Sequence, residues 1–179
     1  EADVGRFKAE VLAQRLHQMN GAVDVQCHPV FFDETSGADL LAAVDVVVDG
    51  TDNHAARLLI DRLTADRGLP WFMGAAVQMA GQNIAFTGSR KEGCYHCFAP
   101  QQVGSETASC GTLGILGPVV ATVALRQVLD VLGALTDVAK VPWGMLRQYD
   151  FRADTTASLP LPKQAGCAVR DADLKPRLQ

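Results

Sequence analysis

Hydrophobic positions along this chain alternate between helical and strand spacing. From Asp3 to Asn20, Val4, Phe7, Val11, Leu12, Leu16 and Met19 recur every three or four residues, the stripe of an amphipathic helix, and Asn20-Gly21 stops it. Val23 to Val30 alternates loosely around Val25, Cys27 and His28 and predicts a strand, with Cys27 and His28 as core and edge residues. A short helical turn over Asp39 to Ala43 leads into Val44-Asp45-Val46-Val47-Val48, a β-branched run closed by Asp49-Gly50. Such a run reads as a strand buried on both faces. His54 to Arg67 predicts a helix with Leu58, Leu59, Ile60 and Leu63 facing inward, ended by Gly68, and Pro70-Trp71-Phe72-Met73 begins another strand. That order, helix and strand three times over, is the pattern of a parallel sheet covered by helices.

The second half reads differently. Gly74 to Gly81 is a run of small residues that admits a ligand or a neighbouring backbone, or else packs tightly at a bend, and a strand over Gln82 to Thr87 follows. Pro118 to Leu132 is a helix apolar nearly all round, ended by Gly133. A helix of that kind is buried on every side or shared with a partner chain, so a homodimer is expected. Trp143 to Phe151 predicts a strand, whereas Thr155 to Gln179, broken by Pro160, Pro162 and Pro176, predicts loops packed on the domain. No apolar run approaches the roughly 18 residues of a membrane span, and no signal-peptide pattern opens the chain.

With 179 residues and 48% hydrophobic composition the chain can bury a full core, and it reads as one domain over 1–179. A net charge of −4 and a pI near 5.5 argue against nucleic acid or an anionic membrane as partner. Cytoplasmic residence is expected.

Candidate chemistry falls at four places. Ligands of an open α/β sheet bind beyond the carboxyl ends of its strands, where Gly50 to Asn53 stands; the other reading is that Asp52 or Asn53 caps the helix starting near His54. Lys8 borders the apolar stripe of the first helix, where a lysine stem also lies on apolar surface with its ammonium in water. Cys94-Tyr95-His96-Cys97 has the knuckle spacing of half a tetrahedral zinc site. Cys167 offers a third thiol, but Arg170 ends the second half and cannot ligate a metal, which leaves His96, Asp171 or water for the fourth position. Cys110 lies in a Gly-rich loop feeding the helix at Pro118; a thiol near a helix N-terminus can act as a nucleophile, although a lone loop cysteine is more often inert.

Taken in order, Asp3-Val-Gly-Arg-Phe-Lys8, Val46-Val-Val-Asp-Gly-Thr-Asp52-Asn53, Gly93-Cys94-x-x-Cys97, Ser109-Cys110-Gly and Gly114-Ile-Leu-Gly-Pro118 resemble the ThiF/MoeB/HesA family, the bacterial relatives of ubiquitin-activating enzymes. The resemblance runs from Asp3 to about Cys167 and implies a partial Rossmann-like parallel sheet with flanking helices and a mixed or antiparallel carboxyl-terminal extension. A partial nucleotide-binding sheet would occupy 1–92, and cysteine-containing loops, the apolar helix and the tail 93–179. The resemblance also implies ATP- and Mg2+-dependent adenylation of the C-terminal glycine of a small ubiquitin-like sulfur-carrier protein, for thiamin or molybdopterin biosynthesis. Lys8 matches the lysine that contacts the ATP phosphates. Asp52, beside Asn53, matches the aspartate that supports magnesium and the attacking carboxylate. Cys94, Cys97 and Cys167 match three of four structural zinc cysteines, with Arg170 at the fourth, and Cys110 matches the cysteine that takes an acyl or persulfide linkage in some members.

The family's glycine-rich nucleotide loop, ribose-binding acid and phosphate-binding arginine precede the equivalent of Asp3. The expectation is therefore a carboxyl-terminal portion, inactive alone, with a gap between the Val23 and Val44 strands closed by rearrangement or by a second copy. The alternative function is a non-catalytic carrier-binding and dimerisation module. An NAD-dependent oxidoreductase is disfavoured because no Gly-x-Gly-x-x-Gly follows a strand.

Overall fold

Residues 3–89, 93–99, 114–165 and 167 are described by a computed structural model. Their elements are α1 (Lys8–Met19), α2 (Glu34–Leu40), β1 (Val47–Asp49), α3 (His54–Ala65), β2 (Trp71–Val77), β3 (Ala80–Phe86), α4 (Tyr95–Phe98), α5 (Gly117–Thr136), β4 (Met145–Asp150) and β5 (Thr155–Pro160). The described strands form one sheet in the order β1-β2-β3-β4-β5. β1 and β2 are parallel and joined through α3, and every later pair is antiparallel. The α/β class with flanking helices and an antiparallel extension is as the sequence implied.

Several boundaries moved for local reasons. Gly74 to Gly81 spans a hairpin: its two ends belong to β2 and β3, which pair from Trp71↔Phe86 to Val77↔Ala80, and Gln78-Met79 makes the bend. Gln78, at φ 51°, supplies the left-handed turn residue that reverses the chain. The tail is not all loop, because β5 pairs along the whole of β4. Asp150 Oδ1 accepts from the backbone of Arg152 and Ala153 and closes that second hairpin. α2 starts earlier than expected, at a capping box in which Asp33 accepts from Ser36 N–H and Ser36 Oγ accepts from Asp33 N–H.

Val23 to Val30 forms no strand. It pairs with no strand among the described residues, and two of its amides bond locally instead, Val23 N–H to Asn20 O and Val30 N–H to His28 O. The expected central gap is consequently absent: the five described strands run uninterrupted, with β1 at an edge. α1 begins at Lys8, later than the expected start at Asp3, and buries none of its residues; Phe7, just before it, and Met19 are 62% and 82% exposed.

The core lies on both faces of the sheet. On one, Trp71, Met73, Ile84, Phe86 and Leu146 pack with Ile60 of α3 and Tyr95 of α4, and Trp71 stacks on Phe86 at 4.6 Å between ring centroids. On the other, Phe72 and Ala85 pack with Val141, flanked by Val131 and Ala134 of α5. This alternation along β2 and β3 is the period of two expected of a sheet covered on both sides.

α5 settles close to the sheet because of the small residues below it. A Cβ at Gly81 would stand 2.4 Å from Val123 Cγ2, and one at Gly74 would stand 2.8 Å from Gln127 Oε1. Polar anchors reinforce the contact. Gln127 Nε2 donates to the carbonyls of Asp49 (2.8 Å) and Phe72 (2.6 Å), Asn83 Nδ2 donates to Val123 O, and Asp130 pairs with buried Arg147. Gly133 lies inside this helix and does not end it. By length and composition α5 could cross a membrane, which corrects the expectation that no run is long enough, yet Gln127 and Asp130 bind it to the sheet. Its outer side, including Leu125, Leu129, Leu132 and Leu135, is exposed.

Gly81→Ala should therefore cost about 1–3 kcal/mol of stability through overpacking against Val123. Urea unfolding checks this, and in a Val123→Ala background the same step should cost far less. Equal costs in the two backgrounds would show that α5 does not depend on the missing Cβ.

Candidate functional site

The carboxyl end of β1 is built around a buried ion pair. Asp49 is 2% exposed, and its Oδ1 accepts from Thr51 N–H at 2.7 Å. The Arg57 Nε lies 3.4 Å from Asp49 Oδ2, and Arg57 Nη2 donates to the carbonyls of Thr51 and Gly74. Burial pushes the Asp49 carboxyl above its ordinary value, against the lowering effect of Thr51 and Arg57. A guanidinium thus lies under the turn 49–53 and holds it from β1 on one side and β2 on the other.

The two readings of Asp52 and Asn53 separate here. Asn53 Oδ1 accepts from Ala56 N–H at 2.8 Å and caps α3. Asp52 is exposed at the mouth of the turn, and none of the described residues hydrogen-bonds its carboxylate. Lys8 is elsewhere: exposed on α1, it lines an open groove with Asp3, Arg6, Val11, Leu12 and Arg15. Asp52 is not among the described residues that line that groove.

Cys94, Cys97 and Cys167 do come together. Cys94 Sγ is 3.6 Å from Cys97 Sγ and 3.4 Å from Cys167 Sγ, and all three sulfurs lie within 4.8 Å of one another. Zn–S bonds of about 2.3 Å would set tetrahedral sulfurs about 3.8 Å apart, so the three donors fit a zinc ion. The returning segment wraps the knuckle: Gly93 N–H donates to Leu161 O, Gln164 N–H to Cys97 Sγ, and Gln164 Nε2 to Cys97 O. Burial, with Asp61 close by, pushes the Cys94 thiol up. Burial acts the same way on Cys97, but the Gln164 N–H and other hydrogen bonds outweigh it and leave that thiol lowered. Beside the cluster, Asp61, Cys94 and His96 form a second set of donors within 4.8 Å, with His96 Nδ1 2.7 Å from Asp61 Oδ2. Cys110, Arg170 and Asp171 lie outside the described residues.

Sequence reasoning missed Asp49, Arg57, Asp61 and Tyr95. A signal was available: Arg57 and Asp61, four apart on the inward side of a helix otherwise lined by Ile60, Leu63 and Ala65, are charges in a buried stripe.

Fold and site together define an α/β protein whose crossover helix links the end of an edge strand to a three-cysteine knuckle. The chain belongs to the ThiF family, whose model matches residues 1–169. It is 32% identical over 167 residues to the sulfur carrier protein ThiS adenylyltransferase of Escherichia coli, covering 93% of this chain and 66% of that protein. It is 27% identical over 169 residues to the molybdopterin-synthase adenylyltransferase of the same organism, covering 94% and 68%. The chain thus spans about two-thirds of the length of these relatives. Among solved structures, Escherichia coli MccB with ATP shares the fold at a TM-score of 0.77 and 16% identity, over 94% of this chain and 52% of that one.

Arg57→Ala should destabilise the protein by about 3–5 kcal/mol, because it leaves the Asp49 carboxylate buried without its partner. Asp49→Asn should cost less, and chemical denaturation of both variants decides; the reverse order would mean that Asp49 is not the dependent partner. A pH effect follows from His54, which burial and then Arg57 hold below the ordinary imidazole value. Its contribution is present above the unfolded histidine pKa and is lost as pH falls through the folded one. His54→Asn should flatten that part of the stability profile, and an unchanged profile would exclude His54 as its source.

Proposed function

We propose that this chain carries the Asp52 side of an adenylation site that uses ATP and Mg2+ to activate the C-terminal glycine of a small ubiquitin-like sulfur-carrier protein, for sulfur transfer of the thiamin or molybdopterin type. The observation that carries the reading is Asp52, exposed and unengaged beyond the carboxyl end of β1 in a chain of the ThiF family. In this reaction a carrier carboxylate oxygen bonds to the α-phosphorus of ATP and the bond to pyrophosphate breaks. A carboxylate at position 52 would hold the magnesium that offsets charge on the leaving group, and Lys8 would meet the phosphates. Asn53 Oδ1 is engaged in the cap, which leaves its Nδ2 as the donor for a ligand.

Cys94, Cys97 and Cys167 would hold a structural zinc, which ties the tail to the knuckle when bound. Cys110 would take the acyl or persulfide linkage. The exposed apolar side of α5 supports a homodimer, and free thiols at Cys27, Cys94, Cys97 and Cys167 suit the cytoplasm. That same side of α5 favours a second reading, a non-catalytic module for carrier binding and dimerisation.

Calorimetry of Mg-ATP with the 179-residue chain, with zinc content read on the same sample, tests the first reading. Binding supports it; carrier binding without nucleotide binding supports the second. Where ATP–pyrophosphate exchange is measurable, Asp52→Ala should lower it about 100-fold or more. Exchange at the unaltered rate in that variant would remove Asp52 from the mechanism. Cys110→Ser should keep exchange while blocking any covalent carrier adduct.

A further inference from the structure

The four residues of α4 reach α3 at two separate points. Tyr95 Oη and His54 Nδ1 share a hydrogen bond of 2.5 Å at the first residue of α3. Two turns further on, His96 Nδ1–H donates to Asp61 Oδ2 at 2.7 Å. His54, Arg57 and Asp61 stand at i, i+3 and i+7, so they share one face of the helix. The two anchor points are about 10 Å apart along the axis, enough to fix both the rotation and the axial position of α3. Between them lies Arg57, which holds Asp49 and the carbonyl of Thr51. Immediately before His54 come the cap at Asn53 and the exposed Asp52.

Tyr95 is suited to transmit position. Its ring is fully buried, edge-on to Trp71 at 5.8 Å and tilted against Phe98 at 5.8 Å, so its hydroxyl cannot move unless α4 moves. α4 in turn is flanked by Cys94 and carries Cys97, and its outer cover is the segment that ends in Cys167. With the thiols untied, that cover is held by hydrogen bonds from Gly93 and Gln164; with three thiolates on one metal, 94–97 and 167 become a single unit.

We propose that Tyr95 and His96 are positioning residues that couple the cysteine cluster to the Asp52 turn through one face of α3. A metal held by Cys94, Cys97 and Cys167 thereby orders the turn from which Asp52 projects. The inference rests on the zinc and Asp52 readings given above, but its readout requires neither nucleotide nor turnover.

Hydrogen exchange over residues 51–57 of the 179-residue chain is compared in zinc-loaded and chelator-treated samples. Chelation should raise exchange there by roughly three- to tenfold, the range one or two hydrogen bonds support. Tyr95→Phe keeps the ring and loses the hydroxyl. Loaded with zinc, it should already show the raised exchange, with zinc content and the thiolate-to-metal absorption of its cobalt-substituted form unchanged. His54→Asn, whose Oδ1 can accept from the tyrosine hydroxyl, should retain protection, and His54→Leu should lose it. Unchanged exchange at 51–57 on chelation, with protection lost only at 93–99, overturns the coupling and leaves the zinc reading standing. Tyr95→Phe behaving as the unaltered chain overturns it too. A chain that takes up no zinc overturns both.

Discussion

A guanidinium buried under the end of β1 is the constraint on which this arrangement depends. Arg57 and Asp49 are both nearly excluded from water, and a charge in that position is tolerated only with its partner and with carbonyls to accept the remaining protons. Those acceptors are the carbonyls of Thr51 and Gly74, so one side chain ties the turn after β1 to β2, beside the ladder that pairs the two strands. From the opposite face Gln127 donates to the carbonyls of Asp49 and Phe72. Gly74 is the residue that makes both grips compatible: its carbonyl meets Arg57, and its missing side chain leaves room for Gln127. The edge strand is short, only Val47–Asp49, yet it is held from both layers.

How much of this was legible follows the range of each interaction. The βαβ order, the α3 helix, the apolar α5 and the Cys-x-x-Cys knuckle are local patterns, and each appears close to where periodicity or spacing put it. The antiparallel return of β3 was not readable, because one left-handed residue at Gln78 decides direction and glutamine carries no such signature. β5 was hidden by the prolines around it, although Pro160 is tolerated at the end of an edge strand. Val23 to Val30 erred in the other direction: alternation identifies a segment able to form a strand, and only a neighbour makes it one. In the site, Cys94, Cys97 and Cys167 were found by type and do converge, and Asn53 proved to be the cap. Lys8 and Asp52 were found by family pattern, and both are exposed. The pairing of Asp49 with Arg57 escaped because a contact across eight residues has no spacing rule, although Arg57 itself stood out as a charge in an apolar stripe.

Two apolar surfaces stand out from that account. The stripe of α1 and the outer side of α5 have the composition of buried faces and are exposed, whereas scattered single exposed apolar residues would need no explanation. On α5 the distinction is sharp within one helix, since Val119, Val123, Gln127, Asp130 and Gly133 form a stripe against the sheet while Leu125, Leu129, Leu132 and Leu135 face away. The polar members of the inner stripe do the anchoring, so the outer leucines are not needed to hold α5 in place. Their apolar character is therefore a property of the surface, and this is why the partner question attaches to α5 more firmly than to any other element.

The knuckle is held by more than its thiols. Three thiols crowded within a few ångströms are a poor arrangement on their own, because burial, with Asp61 close by, resists the charge that would make Cys94 a ligand. The surroundings counter this unequally. Gln164 aims an N–H at Cys97, and His96 hydrogen-bonds the Asp61 carboxylate, whose charge otherwise bears on Cys94. Those contacts come from elements on either side of the knuckle, the returning tail and α3. The contacts that join the knuckle to α3 and to the tail are thus made by the side chains of Tyr95, His96 and Gln164, none of them a cysteine.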